Sequence, residues 1–236
     1  MNVIKAKNYE DLSKIGAVII AAEALAKPRG VLGFATGSTP VGTYAELVKM
    51  HRDGLLDFSG ITTFNLDEYY DNPKTDKNSY YYFMHDNLFN HINIKKENVH
   101  LPDGMAPEAE AECARYEKAI DDAGGIDLQL LGIGHNGHIG FNEPDDIFAP
   151  VTQHIRLADS TINANARFYN SRDEVPKSAI SMGIGTIMRA RRILMLISGR
   201  DKKEIAEKAL YGPVTPQIPA SILQYHKDCT VVLAVD

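Results

Sequence analysis

Short apolar runs alternate with amphipathic segments along the whole chain. Runs that are apolar at consecutive positions are typical of strands buried on both faces, and apolar residues three or four positions apart are typical of helices. The pattern predicts strands at residues 2–6, 30–35, 61–66, 126–133, 192–198 and 230–235. It predicts helices at residues 9–27, 40–52, 79–90, 106–123, 183–190 and 201–211. This alternation predicts a single α/β domain over residues 1–236, a mainly parallel Rossmann-like sheet with helices on both faces.

The composition excludes disorder over most of the chain and argues against one class of partner. The chain has 236 residues, of which 44% are hydrophobic and 24% are charged, so there is enough apolar side chain for a core. Its formal net charge is −6. A general nucleic-acid binder needs a basic face, so we expect no nucleic-acid partner. A small anion is still allowed, because a few local cations and backbone amides can hold it.

Neither the cysteines nor the apolar segments indicate secretion or a membrane. Cys113 and Cys229 match no C-x-x-C or zinc-ribbon spacing, and we expect two reduced, buried thiols. The first seven residues lack the core of a signal peptide. The most apolar stretch, residues 15–26, contains Glu23 and is too short to span a bilayer. We therefore expect a soluble, cytoplasmic protein with no membrane partner.

In folds of this class, ligands bind beyond the carboxyl ends of the strands, so the residues after each strand are the candidates for chemistry. The strand at 30–35 is followed by Thr36-Gly-Ser-Thr-Pro40. Thr39 is suited to cap the next helix and Pro40 to begin it. The amides and hydroxyls of Gly37, Ser38 and Thr39 would suit a phosphate monoester. An ordinary capped turn is the alternative, because the segment is neither a Walker A loop nor G-x-G-x-x-G.

Acidic residues follow the strand at 61–66. Asp67 and Glu68 are placed there for general base catalysis. The alternative is a solvated loop carboxylate or a helix cap.

The strand at 126–133 ends in a run rich in glycine and histidine, Gly134-His-Asn-Gly-His-Ile-Gly-Phe-Asn-Glu-Pro144. His138 could move protons near neutral pH, and a carboxylate such as Glu143 could orient it. Asn136 can supply a polar contact but cannot ionise. A metal held by His135, His138 and Glu143 is an alternative, and a purely structural loop is another. With no further ligand cluster evident, we expect neither metal nor cofactor.

Cations complete the set of candidates. Lys202 lies in the turn Gly199-Arg-Asp-Lys-Lys203 after the strand at 192–198, and Arg167 lies in a separate segment. A solvated basic turn and a surface arginine are the alternatives. Together with the preceding motifs, these residues indicate acid–base chemistry on a sugar phosphate, with no cofactor signature.

These motifs resemble the glucosamine-6-phosphate deaminase (isomerase) family over nearly the whole chain. The resemblance is carried by Ala35-Thr-Gly-Ser-Thr-Pro40, Phe64-Asn-Leu-Asp-Glu-Tyr69, Gly132-Ile-Gly-His-Asn-Gly-His-Ile-Gly-Phe-Asn-Glu-Pro144, Asn165-Ala-Arg-Phe168 and Gly199-Arg-Asp-Lys202. The related phosphogluconolactonases typically have arginine where this chain has Tyr69. They also have G-x-x-G-H-T-A-S-like residues where this chain has the run 137–143. Both differences favour the deaminase.

The resemblance implies conversion of glucosamine 6-phosphate and water to fructose 6-phosphate and ammonia. It implies that His138, oriented by Glu143, opens the pyranose ring, and that Asp67 moves the C2 proton to C1. It places the phosphate on Gly37, Ser38, Thr39, Arg167 and Lys202. It also implies a mobile lid at about residues 157–177, carrying Arg167.

Two departures from the family pattern affect these expectations. Many longer members have aspartate where this chain has Asn136, so we expect Asn136 to remain a hydrogen-bonding member of the catalytic group. Allosteric members carry a basic run where residues 145–155 contain acids and no arginine or lysine. We therefore predict no activation by an amino-sugar phosphate, and a monomer or small homo-oligomer.

Two rival functions remain at this stage. One is another sugar-phosphate enzyme of the same fold, a lactonase or an isomerase. The other is a sugar-phosphate-sensing regulator domain, which would need a DNA-binding segment and would have no need of Asp67 and His138 together.

Overall fold

A parallel sheet of seven strands forms the centre of the molecule in the computed structural model, which describes residues 1–166, 169 and 171–235. The strands of the described chain are β1 (Asn2–Lys5), β2 (Val31–Phe34), β3 (Thr62–Asn65), β4 (Asp67–Tyr69), β5 (Val99–His100), β6 (Leu128–Leu131), β7 (Gln153–Arg156), β8 (Ser178–Ser181), β9 (Arg192–Ser198) and β10 (Cys229–Ala234). In the central sheet their order is β1-β10-β9-β6-β2-β3-β5, and every neighbouring pair is parallel. The predicted α/β fold is confirmed.

Helices connect the strands of this sheet. They are α1 (Tyr9–Ala26), α2 (Val41–Arg52), α3 (Tyr80–Asn87), α4 (Ala109–Asp122), α5 (Asp159–Asn165), α6 (Ile184–Met188) and α7 (Lys203–Tyr211). Among the helices described, none is both long and apolar enough to cross a membrane.

Helices cover both faces of the sheet because consecutive strand residues point to opposite sides. In β9, Ile193, Met195 and Ile197 pack into one core and Leu194 and Leu196 into the other. The first core is closed by apolar residues of α4, α6 and α7, and the second by residues of α1, α2 and α3. The strands are therefore buried on both faces, as their continuous apolar runs predicted.

The two cysteines lie within these buried layers. Cys113 and Cys229 are both free and buried, as predicted. Burial raises the pKa of each thiol to about 11, which keeps both in the unreactive protonated form.

A second, antiparallel sheet was not predicted. It has the order β4-β8-β7, and it pairs Asp67 with Ser181, which also pairs with Gln153. Asp67 and Glu68 were expected in a loop after a strand and instead form a strand of their own. This position fixes the Asp67 backbone through a ladder to residues more than a hundred positions away.

The starts of two helices differ from prediction. Helix α2 begins at Val41, with Pro40 in the N-cap position and no side-chain cap, so the expected cap by Thr39 is wrong. Tyr44 N–H donates to the Pro40 carbonyl, which closes the first turn without a hydroxyl. Helix α7 begins at Lys203, after a 3₁₀ turn at Arg200–Lys202.

The strand order determines where ligands can bind. The ends of β9, β6, β2 and β3 are adjacent along one edge of the sheet. The chain leaves β2 toward β3 on one side, while β6 lies on the other side of β2, so the connections diverge between β2 and β6. Open α/β sheets bind ligands at such a divergence. Four of the five predicted site segments follow these four strands.

Candidate active site

His138 and Glu143 form a pair in the loop that follows β6. His138 Nδ1 lies 3.5 Å from Glu143 Oε1, which is longer than a hydrogen bond. Nδ1 is buried and has no closer hydrogen-bond partner in the described part of the chain. A carboxylate facing Nδ1 selects the tautomer that leaves Nε2 as the proton acceptor. Catalytic contacts of this kind often tighten only when substrate is bound.

Gly134 makes room for the His138 ring. A Cβ at Gly134 would lie 2.2 Å from His138 Cε1 and 2.4 Å from Nδ1, so the imidazole occupies the space where a side chain would be. The Gly134 N–H also donates to the His138 carbonyl over 2.9 Å. Gly137, at the turn of this loop, has φ of 89°, a conformation that favours glycine. These glycines are thus part of what orients the histidine.

The Glu143 carboxylate is held by donors from two segments. Asn136 Nδ2 donates to Oε2 over 2.5 Å, and Thr161 Oγ1 donates to Oε1 over 2.5 Å. Burial alone would raise the pKa of Glu143, but His138, Thr161 and Asn136 outweigh it and lower the pKa to about 2. Glu143 is therefore an anion throughout the neutral range. Asn136 is thus hydrogen-bonded to the carboxylate of the pair.

Asp67 presents a buried carboxylate next to the same loop. It is 6% exposed, and a Cβ at Gly140 would lie 3.5 Å from its Oδ2, so the carboxylate borders the loop that carries His138. Burial, and secondarily the charge of Glu68, raises the pKa of Asp67 to about 8. No group in the described chain hydrogen-bonds this carboxylate. A carboxylate poised near neutral pH is suited to accept and return a proton.

Glu68 has a different role from its neighbour. Its Oε1 accepts the N–H groups of Tyr69 and Tyr80, and its Oε2 accepts that of Tyr81. It therefore caps the start of α3, together with Ser79, which accepts the Tyr82 N–H. Of the two acids considered as bases, the structure leaves only Asp67 available.

The loop after β2 is exposed at its tip and is held in place by hydrogen bonds to Tyr9. Gly37 has φ of 103°, and nothing lies within 4 Å of the position a Cβ would take. Gly37 and Ser38 are exposed and Thr39 is half-buried. Tyr9 Oη donates to the Ser38 carbonyl over 3.0 Å and accepts the Gly42 N–H over 2.9 Å, which ties the loop to the first turn of α2.

The predicted cations and the alternative metal ligands lie in different places. Lys202 Nζ donates to the Ile133 carbonyl over 3.0 Å, which brings it from the end of β9 to the end of β6. Burial lowers the pKa of this ammonium. Arg167 lies outside the described residues.

His135 is exposed and pairs with Asp201 over 2.6 Å, so it does not join His138 and Glu143. Within residues 1–166, 169 and 171–235, no group of three or more acidic, histidine or cysteine side chains is arranged to hold a metal ion.

The segment predicted as a lid, residues 157–177, connects β7 to β8. Its ends are joined by the Leu157 N–H, which donates to the Lys177 carbonyl over 2.9 Å. Within the segment, Arg172 bonds Asn163 and Asp159. Its apolar residues pack with Tyr69 and Phe141 in one buried cluster that includes Leu157, Ile162, Val175 and Ala179. The described part of the segment therefore contacts the site at two places, through this cluster and through the Thr161 hydroxyl.

Three residues of this site were missed from the sequence. Thr161, Tyr9 and Ser181 are ordinary polar residues that belong to none of the motifs, and each acts through a contact made by the tertiary fold. Ser181 Oγ accepts the Phe141 N–H over 3.0 Å and so joins β8 to the histidine loop. No local pattern distinguishes these residues.

Comparison with known proteins identifies relatives over nearly the full length. The model of the family described as glucosamine-6-phosphate isomerases/6-phosphogluconolactonase matches residues 13–232. A protein of Clostridioides difficile named glucosamine-6-phosphate deaminase is 55% identical over 233 residues, 99% of this chain and 94% of that protein. A protein of the same name from Lachnoclostridium phytofermentans is 57% identical over 232 residues, 98% of each. The structure of a monomeric glucosamine-6-phosphate deaminase matches with a TM-score of 0.97 at 48% identity, over 99% of this chain and 97% of that one.

Proposed function

The chain belongs to the glucosamine-6-phosphate isomerase/6-phosphogluconolactonase family, and from this premise we propose that it acts as a glucosamine-6-phosphate deaminase. It converts glucosamine 6-phosphate and water to fructose 6-phosphate and ammonia, a step of amino-sugar metabolism. One observation carries the proposal from the geometry: a buried carboxylate, Asp67, borders the loop that holds the His138–Glu143 pair.

The phosphate binds at the loop after β2. Open amides at Gly37, with the hydroxyls of Ser38 and Thr39, suit its oxygens, and Lys202 supplies a cation from the end of β9. We assign Arg167 as a second cation by its match to the family motif. Binding energy gained at the phosphate then positions the reacting end of the sugar.

Ring opening is the task of His138. Its Nε2 takes the proton of the anomeric hydroxyl, and a proton returns to the ring oxygen as the C1–O5 bond breaks. Glu143 faces Nδ1 and stabilises the imidazolium that forms in between, in the manner of a catalytic dyad. Asn136 keeps the Glu143 carboxylate in place.

Isomerisation is the task of Asp67. Its carboxylate removes the C2 proton while the aldehyde oxygen gains a proton that the substrate ammonium gives up, which yields an enolamine, and the carboxylate then delivers its proton to C1. The resulting C2 imine adds water and releases ammonia, which leaves the ketone of fructose 6-phosphate. The substrate brings its own amine, a cation, next to this carboxylate. That charge favours the ionised form of Asp67, so bound substrate helps to create the base that acts on it.

An assay for ammonia separates this function from its nearest rival. We expect the purified protein to release one ammonia for each fructose 6-phosphate formed and not to hydrolyse 6-phosphogluconolactone. The reverse pattern would assign the chain to the lactonase branch of the family. Repeating the assay with N-acetylglucosamine 6-phosphate tests regulation. We expect hyperbolic kinetics with and without it, and a sigmoidal curve that it abolishes would contradict the absence of allosteric activation.

The relatives and the cysteines bear on the oligomeric state and the location of the protein. We propose that the enzyme works as a monomer, because a monomeric deaminase has nearly the same fold at 48% identity. We propose the cytoplasm as its location, which agrees with two buried free thiols. Residues 157–177 are proposed as the lid that excludes water from the closed site.

Lys202→Ala is expected to raise KM about tenfold and to leave kcat within about twofold. A phosphate contact made equally in ground and transition states contributes to binding and not to the chemical step. Steady-state kinetics with glucosamine 6-phosphate measure this. Lys208→Ala is the matched control, since Lys208 lies on α7 but pairs on the surface with Glu204. A fall in kcat with unchanged KM would show that Lys202 acts on the chemistry instead.

A further inference from the structure

We propose that Thr161 is a positioning residue that makes the His138–Glu143 pair depend on the position of segment 157–177. Thr161 lies on α5 within that segment and is 9% exposed. Its hydroxyl donates to Glu143 Oε1 over 2.5 Å. The same oxygen faces His138 Nδ1. This inference rests on the proposed function, because it concerns the ring-opening step.

The two Glu143 donors come from separate parts of the chain. Asn136 belongs to the same loop as Glu143, so this bond persists however segment 157–177 is placed. Thr161 belongs to the segment itself, which packs against the site through the apolar cluster with Tyr69 and Phe141. Apolar contacts are non-directional and allow sliding, whereas a hydrogen bond to a carboxylate has a defined geometry. When the segment lies against the site, the hydrogen bond from Thr161 therefore gives the Glu143 carboxylate a defined orientation.

Loss of this bond affects the oxygen that the histidine uses. With Thr161 bonded, the Glu143 carboxylate is fixed at both oxygens and Oε1 points toward Nδ1. Without Thr161, only Oε2 remains held, and Oε1 is free to rotate away from His138. The pair is complete only while Thr161 reaches Glu143, so ring opening is confined to that position of the segment.

Thr161→Val tests the proposal, because valine keeps the shape of threonine and removes the hydroxyl. We expect kcat to fall about 10- to 100-fold, the size of effect that follows loss of one hydrogen bond to a charged group, with KM within about twofold. Thr161→Ser retains the hydroxyl and should recover most of the lost kcat. An open-chain analogue lacking the C4 and C5 hydroxyls cannot close its ring. Its C2-proton exchange should differ little between wild type and Thr161→Val.

Thr186→Val is the matched control. Thr186 Oγ1 donates to Glu117 Oε1 over 2.5 Å, so this variant removes the same kind of bond from a glutamate outside the site. We expect a similar change in thermal stability and no change in kcat. All variants are assayed below their melting temperatures. The proposal is overturned if Thr161→Val keeps wild-type kcat, if serine fails to restore it, or if Thr186→Val loses as much. A wild-type protein that releases no ammonia would instead refute the proposed function itself.

Discussion

Asp67→Asn is expected to abolish exchange of the C2 proton with solvent and to lower kcat about 10³-fold or more, while the sugar phosphate still binds. Asparagine keeps the shape of the side chain but cannot accept a proton, and removal of a general base costs about 10²–10⁴-fold in rate. Exchange is followed by NMR in deuterated water, and binding by calorimetry. Retained exchange at C2 would show that another group is the base.

The same substitution should stabilise the folded protein at alkaline pH. The pKa of Asp67 is raised from 3.8 to about 8 in the folded state, so between these pH values the folded state holds a proton that the unfolded state has lost. The free energy of unfolding of the wild type therefore falls as pH rises through this range. Asp67→Asn removes the ionisation and with it the loss. We expect a gain of about 2–5 kcal/mol at pH 9 that vanishes below about pH 4, measured by urea unfolding.

Asp127→Asn is a control for which we expect the opposite change in the free energy of unfolding. Burial raises the pKa of Asp127, but Lys27, the Val31 N–H and Arg191 outweigh it and lower the pKa below the usual value. The ionised form thus stabilises the fold, and its stabilising effect is present above the usual carboxyl pKa and lost as the pH falls. Asparagine at this position should destabilise the protein at pH 7 and above. If Asp67→Asn instead destabilises the protein at alkaline pH, as Asp127→Asn should, the pKa of Asp67 is not raised in the folded protein.

Activity should follow the ionisation of the same carboxylate. Because the free enzyme holds Asp67 largely protonated at pH 7, we expect kcat/KM to rise with pH, with its midpoint at about pH 8, and to level off only well above that midpoint. The acidic limb of kcat should lie at lower pH, since the substrate cation favours the ionised form. Stability and activity thus make opposite demands on one side chain, which is a known feature of active sites.

The parts of the fold that were predictable are those in which local pattern and final burial agree. Side-chain periodicity predicts strands with continuous apolar runs, such as β9, and the helices that connect these strands. The strand order then brings the four motif loops together. The second sheet was not predictable, because β4 and β8 are short, carry polar residues and pair across more than a hundred residues. Their pairing is a property of the folded chain, and no local pattern encodes it.

The candidate site divides in the same way. His138, Glu143 and Asp67 carry chemistry in their residue types and follow predicted strands, so the sequence alone was enough to propose them as candidates. The difference between Asp67 and Glu68 could not be read from two adjacent acids. It depends on α3, whose amides meet Glu68 and leave Asp67 unpaired among the described residues. Thr161 is a further case, since its contact with Glu143 joins residues from separate segments.

His138→Gln should lower kcat about 10²–10⁴-fold, because glutamine can bond Glu143 but cannot take and return a proton. The damage should fall on ring opening. The open-chain analogue without C4 and C5 hydroxyls should therefore show C2-proton exchange within about tenfold of wild type, whereas Asp67→Asn shows none with either compound.

His135→Gln is the matched control for this substitution. His135 lies in the same loop, three residues before His138, but it is exposed and pairs with Asp201 on the surface. We expect unchanged kcat and KM. The ring-opening assignment is wrong if His138→Gln loses exchange equally with the closed and the open-chain compound, because the histidine would then act at C2 together with Asp67. Equal losses in His135→Gln and His138→Gln would instead indicate that the loop as a whole, and not one imidazole, sets the rate.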